Sequence, residues 1–202
     1  MVVDAAHGNE PVRRGRMPSG PPSPTIESMT LGELLVDSFN RIREGAHEAV
    51  EGLSPDQLAE RPAPEANSVA WLVWHLARIQ DDHIADVADR DQVWTSQDWA
   101  GRLGLPFDDR DTGYGHTPEQ VASVRVSPDL LTGYLDAVHE QTIAFVSGLG
   151  LDDLDRIVDE RWDPPVSLGV RLVSVINDDD QHVGQAAYVR GLVEAGRSEL
   201  VG

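Results

Sequence analysis

The sequence predicts an all-α fold, a four-helix bundle with a long crossover between its second and third helices. Three observations carry this. Apolar residues recur at intervals of three and four in four separate stretches, the spacing of a core-facing helix side. Strand-like alternation of apolar and polar residues is scarce throughout. The chain of 202 residues, 40% of them hydrophobic, is long enough for one domain with a sizeable core.

Taken in order, residues 1 to about 25 are rich in Gly, Pro, Ser and charge and end in the run Pro18 to Pro24. Such a segment buries too little apolar surface to order itself and reads as a disordered tail, leaving 26–202 as the bundle domain. The first helix is expected over about 29–51, with Thr30 as N-cap and Leu31, Leu34, Leu35, Phe39 and Ile42 as its stripe. Gly52 closes it, and Ser54-Pro55-Asp56-Gln57 opens a short helical turn. The second helix spans about 67–89, capped by Asn67 or Ser68, with Trp71, Leu72, Leu76, Ile79 and Ile84 inward. An irregular stretch of about 90–126 follows, with short helices expected over 96–103 and 118–125; connections this long usually carry function. Ser127-Pro128 starts the third helix, about 127–148, whose stripe is Leu131, Leu135, Val138, Thr142, Phe145 and Leu149. After a second crossing segment over 152–166, the fourth helix covers about 168–195 and stops near Gly196.

Composition narrows the function. A net charge of -19 argues against nucleic acid and against anionic membrane surfaces, both of which are held by clustered Lys and Arg. No apolar run approaches the roughly 20 residues needed to cross a bilayer. Arg13, Arg14 and Arg16 are followed by no apolar stretch, so no signal peptide is expected and the chain reads as cytoplasmic. The absence of cysteine removes disulfides, thiolate ligands and a cysteine nucleophile together. Any metal is then held by nitrogen and oxygen, and any sulfur chemistry uses a cosubstrate's thiol. Glycine-rich phosphate loops, nucleophile elbows and HExxH motifs are missing as well.

The fourth helix holds the chemically informative run, Asp178-Asp179-Asp180-Gln181-His182, inside the apolar stripe of Leu172, Val175, Ile176, Val183, Ala186, Val189 and Val193. A carboxylate on such a face needs a partner or a metal. Asp178 and His182 are four residues apart and therefore about 40° apart on one face; Asp179 and His182, three apart, fit equally well. Spacing leaves that choice open, and a hydrogen-bonded core histidine oriented by a carboxylate is the competing reading. His75, inward between Trp71 and Ile79 on the second helix, supplies a third candidate ligand. Two histidines and one carboxylate leave coordination positions open, as catalytic sites require. His83 reads as a surface or rim residue, and His139 and His116 as possible pocket linings. Arg78 and Arg190 are either surface ion pairs or holders of a substrate carboxylate. Trp71, Trp74, Trp94 and Trp99 read as core and loop anchors, with the 94–116 loop shaping a pocket.

The segment from Ala66 to His83, with Trp71-Leu72-Val73-Trp74-His75-Leu76 at its heart, and the later His182-Val183-Gly184-Gln185 resemble the DinB-like superfamily. The likeness runs over about 29–195 and is strongest to the actinobacterial, mycothiol-dependent branch. It implies a four-helix bundle that binds a divalent metal, usually zinc, through His75, Asp178 and His182, leaving Asp179 as an outer partner of the ligands. Many members carry histidine at the position of Asp178, and the maleylpyruvate isomerases carry glutamate. The implied activity is a metal-dependent thiol S-transfer, with mycothiol as cosubstrate and a small electrophile as partner. Alternatives are an isomerase of the maleylpyruvate type and a non-catalytic metal-binding bundle. Apolar helix faces beyond the core suggest a homodimer.

Overall fold

The computed structural model describes residues 28–201, with side chains through residue 196. The tail expected over residues 1 to about 25 lies outside the described residues. Helix α1 (Leu31–Val50) begins behind a capping box in which Thr30 and Glu33 satisfy each other's backbone N–H groups. The turn α2 (Pro55–Leu58) repeats that device with Ser54 and Gln57. Ser68 caps α3 (Val69–Ala88) by accepting from the Trp71 N–H, which settles the choice between Asn67 and Ser68. The crossover carries α4 (Val93–Ser96), α5 (Trp99–Leu103) and α6 (Pro118–Ser123). The one helix expected over 96–103 is thus two short ones, split where Asp98 takes a positive φ of 57°. Ser127 and Pro128 start α7 (Pro128–Val146) as expected.

Two further details depart from expectation. The segment after α7 holds a 3-10 turn (Leu151–Asp155) and a small antiparallel hairpin of β1 (Ile157–Asp159) and β2 (Val166–Ser167). Strands of three and two residues are too short for alternation to register in a sequence. Helix α8 (Leu168–Val201) runs past Gly196. A glycine stops a helix by turning left-handed, and Gly196 keeps a negative φ, so it leaves only an entropic weakness of about 1 kcal/mol.

The four long helices form the bundle. Arg43 of α1 bonds Asp136 of α7, and a Cβ on Gly32 would lie 2.5 Å from the Ser147 carbonyl oxygen, so these helices run antiparallel and touch closely at one end. His83 of α3 meets Arg171 of α8 while His75 lies beside His182, a second antiparallel pair. Gly45 and Glu48 of α1 meet Val183 and Arg190 of α8, so those two run parallel. The order is up-down-down-up, and the crossover exists because α3 and α7 point the same way. Phe39, Ile42, Leu72, Trp74, Leu76, Leu131, Leu135 and Leu172 fill the core, whereas Leu34, read as a stripe residue, is exposed. No helix among the described residues is long and apolar enough to cross a membrane.

Candidate metal centre

Helices α3 and α8 bring His75, Asp178 and His182 together, with one ligand atom from each lying within 4.8 Å of the others. The two imidazole rings stand edge to face, 4.7 Å between centroids at 62°. The His75 Nδ1 is 2.5 Å from the Thr112 carbonyl oxygen and the His182 Nδ1 is 2.7 Å from the Asp178 carbonyl oxygen. A carbonyl only accepts, so each Nδ1 carries the proton and donates. In the neutral ring this leaves each Nε2 its lone pair, the tautomer a metal ligand needs. Burial is the main force holding the His75 pKa below its usual value, which keeps that ring neutral.

The Asp178 Oδ2 is buried without a hydrogen-bond partner. The His182 Nδ1 lies 3.5 Å from it without a hydrogen bond, no guanidinium among the described residues is paired with it, and such an atom is expensive unless a cation meets it. Two neutral imidazoles and one carboxylate therefore fit a divalent metal of the zinc type. The side chains of His182 and Asp178 remain 16% and 36% exposed, so the cluster opens to solvent on one side. Trp71, one turn before His75, stacks on its ring at 4.6 Å and 14° and covers the opposite flank.

Asp179 takes a different place from the outer-partner role implied for it. It is fully buried, neither carboxylate oxygen has a partner, and burial pushes its carboxyl well above the usual range. One position along a helix is a rotation of about 100°, which turns Asp179 into the core while Asp178 faces α3.

The crossover supplies what sequence reading missed. Thr112 presents its main-chain carbonyl to His75, and Gly113, beside it, sits at a φ of +91°. A Cβ there would fall 2.8 Å from the His75 Nδ1 and 2.9 Å from a Trp74 ring carbon. His116 accepts from the Trp71 indole N–H through Nδ1 and donates through Nε2 to the Asp111 carboxylate, so it clamps the loop rather than lining a pocket. The glycines at 113 and 115, both at positive φ, were the one signal that this loop is tightly built. Gly113→Ala is expected to cost about 1–3 kcal/mol through backbone strain alone. By displacing His75 it should weaken metal binding roughly 10–100-fold, measurable by competition with a chromogenic chelator.

Other candidates land elsewhere. Arg78 is neither a surface ion pair nor a substrate clamp. It is fully buried, donating to the Asp109 and Asp111 carbonyls, to Gln92 and to Tyr134, 3.6 Å from the Asp81 carboxylate. Arg190 makes a surface pair with Glu194 and reaches the Glu48 carbonyl. His83 accepts from Arg171 at a rim, and His139 lies half-buried on α7 nearer Arg43 and Asp136. Trp94 and Trp99 pack on Tyr134 in the interior, whereas Trp71 borders the centre, 6.3 Å from the His182 ring.

The family described as mycothiol-S-transferase matches residues 34–195, which run from within α1 to within α8 and include the whole cluster. The chain belongs to the mycothiol S-transferase family. Membership in this DinB-like family carries transferase activity and a thiol substrate at the level of the family. A solved structure, that of the conserved protein of locus from Enterococcus faecalis, is 35% identical with a TM-score of 0.78, covering 83% of this chain and 99% of that one. No curated protein matches the chain.

Proposed function

We propose that this member of the mycothiol S-transferase family is a metal-dependent enzyme, with zinc as the metal, that joins mycothiol to a small electrophile. The observation that carries the reading is the orphaned Asp178 Oδ2 facing two imidazoles whose Nε2 lone pairs are free. His75, Asp178 and His182 would hold the ion, and one carboxylate with two neutral rings leaves a divalent cation a net charge of +1. A bound cation of this kind makes a coordinating thiol a thiolate near neutral pH. The chain itself holds no sulfur nucleophile, which fits a thiol brought in as cosubstrate.

The remaining parts position and shield. The Thr112 and Asp178 carbonyls fix both ring tautomers, so neither ligand reorganises when the site is used. Trp71 keeps water from the rear of His75, and the exposed edge of Asp178 and His182 leaves a path for the two substrates. Residence in the cytoplasm, where thiols stay reduced, suits this chemistry.

The experiment uses mycothiol and 1-chloro-2,4-dinitrobenzene, with chelated and zinc-loaded protein. Sulfur bonds to the ring carbon as chloride leaves with the bonding electrons and the thiol proton passes to solvent. Absorbance of the thioether product is expected to grow faster than the protein-free background only with mycothiol and metal-loaded protein together. A rate no higher than that background with this electrophile and with monochlorobimane, at any zinc loading, would overturn the assignment.

A further inference from the structure

The metal cluster occupies one end of a longer shared face. On α3, positions 75, 79, 82, 83 and 86 fall on one side of the helix; on α8, positions 171, 178 and 182 do the same. Because these helices run antiparallel, the two faces continue together from the cluster to His83 and Arg171, about 12 Å along α3. There they open into a cavity of about 540 Å³.

The walls of this cavity are unlike the rest of the chain. Four arginines face four aspartates across it, in a protein whose net charge is -19. Among the described residues Ala85 is its sole apolar lining residue, and no Trp, Tyr or Phe takes part. Arg171 is tied to His83 and Asp159, and Arg161 to Asp159. The side chains of Asp86, Arg90, Asp109 and Arg110 make no hydrogen bond among the described residues, although all border the same space.

We propose that this cavity is the subsite for the uncharged, polyhydroxylated body of the thiol cosubstrate. An anionic ligand would call for an excess of cations, which the balanced charges do not offer. An aromatic electrophile would call for apolar or stacking walls, which are missing. Hydroxyl groups donate to carboxylates and accept from guanidiniums, so a polyol uses both signs at once. The sulfur of mycothiol sits on an acetylated cysteine joined to a glucosamine–inositol pair. That pair suits the cavity while the sulfur reaches toward the cluster. The assignment rests on the thiol-transfer reading for which molecule enters, and its test works without sulfur or metal.

The probe is the sulfur-free N-acetylglucosaminyl-inositol fragment, whose amide keeps it uncharged as in the thiol, titrated calorimetrically into metal-free protein, into Asp86→Ala and into Arg110→Ala. Both side chains are exposed and unbonded, so the fold should persist, and unchanged zinc affinity checks it. Saturable one-to-one binding is expected, weakened roughly tenfold or more in each variant. The variants should also raise KM for mycothiol while leaving the rate with N-acetylcysteine, which lacks the polyol, unaltered. No binding of the fragment to the unmodified protein, or equal binding to the variants, overturns the subsite. Fragment binding without thiol transfer upholds the cavity assignment and removes the transfer reading. Transfer with an unmoved KM in both variants removes the cavity assignment alone.

Discussion

His182→Ala should abolish stoichiometric metal binding and leave the bundle folded. The imidazole packs edge to face on His75, but among the described residues it hydrogen-bonds only to a carbonyl of its own helix, so its removal costs some packing and breaks no hydrogen bond between helices. Alanine is also the most favourable helix residue. What is lost is one of three donors. Changes to outer partners of a metal already cost about 10–100-fold in affinity, and loss of a ligand should exceed the upper figure. The effect has a thermal readout. A metal present at about 100 times its Kd stabilises the native state by about 2.7 kcal/mol. For a domain of this size that raises Tm by roughly 5–11 °C. Zinc should produce that rise in the unmodified protein, EDTA should reverse it, and the variant should show neither. One metal per chain by elemental analysis of the variant would remove His182 from the ligand set.

Arg78→Ala should be the most destabilising single change in the crossover region. The guanidinium makes four hydrogen bonds with no exposure to water, lies 3.6 Å from the Asp81 carboxylate and sits 5.0 Å from the Trp94 ring centroid. Burial already raises the Asp81 pKa, opposed by the Val93 and Trp94 backbone N–H groups, the Tyr134 hydroxyl and Arg78. Truncation leaves that carboxylate buried without its cation and two loop carbonyls without donors. Removing one partner of a buried ion pair costs about 3–5 kcal/mol. That corresponds to a Tm roughly 6–20 °C lower by differential scanning calorimetry. Arg78→Lys should recover only part of the loss, because an ammonium cannot span the Asp109 and Asp111 carbonyls, Gln92 and Tyr134 together.

The helices were legible because each repeats its apolar side often enough to be read. The candidate ligands were legible for the opposite reason: His75 and the Asp178–His182 pair interrupt such sides with polar groups. Between Asp178 and Asp179, spacing alone was silent. One faces α3 and the other the core, a distinction set by how α8 is rotated in the bundle. The fate of Arg78 was hidden because two of its acceptors are main-chain carbonyls, which have no signature in a sequence. The hairpin of β1 and β2 was too short to show alternation. The cavity around His83 was invisible because its walls come from α3, the crossover, the hairpin and α8, remote stretches with nothing in common but charge.

The carbonyl of Thr112 that steadies His75 belongs to the peptide chain and not to a side group. Drift at position 112 can therefore be broad without disturbing the imidazole, while Gly113 next to it tolerates no neighbour of the ring. Gain or loss of a single residue between 108 and 116 would present the wrong peptide unit to the histidine. Among relatives, this strap should vary freely at position 112, keep Asp111, Gly113 and His116, and scarcely change in length.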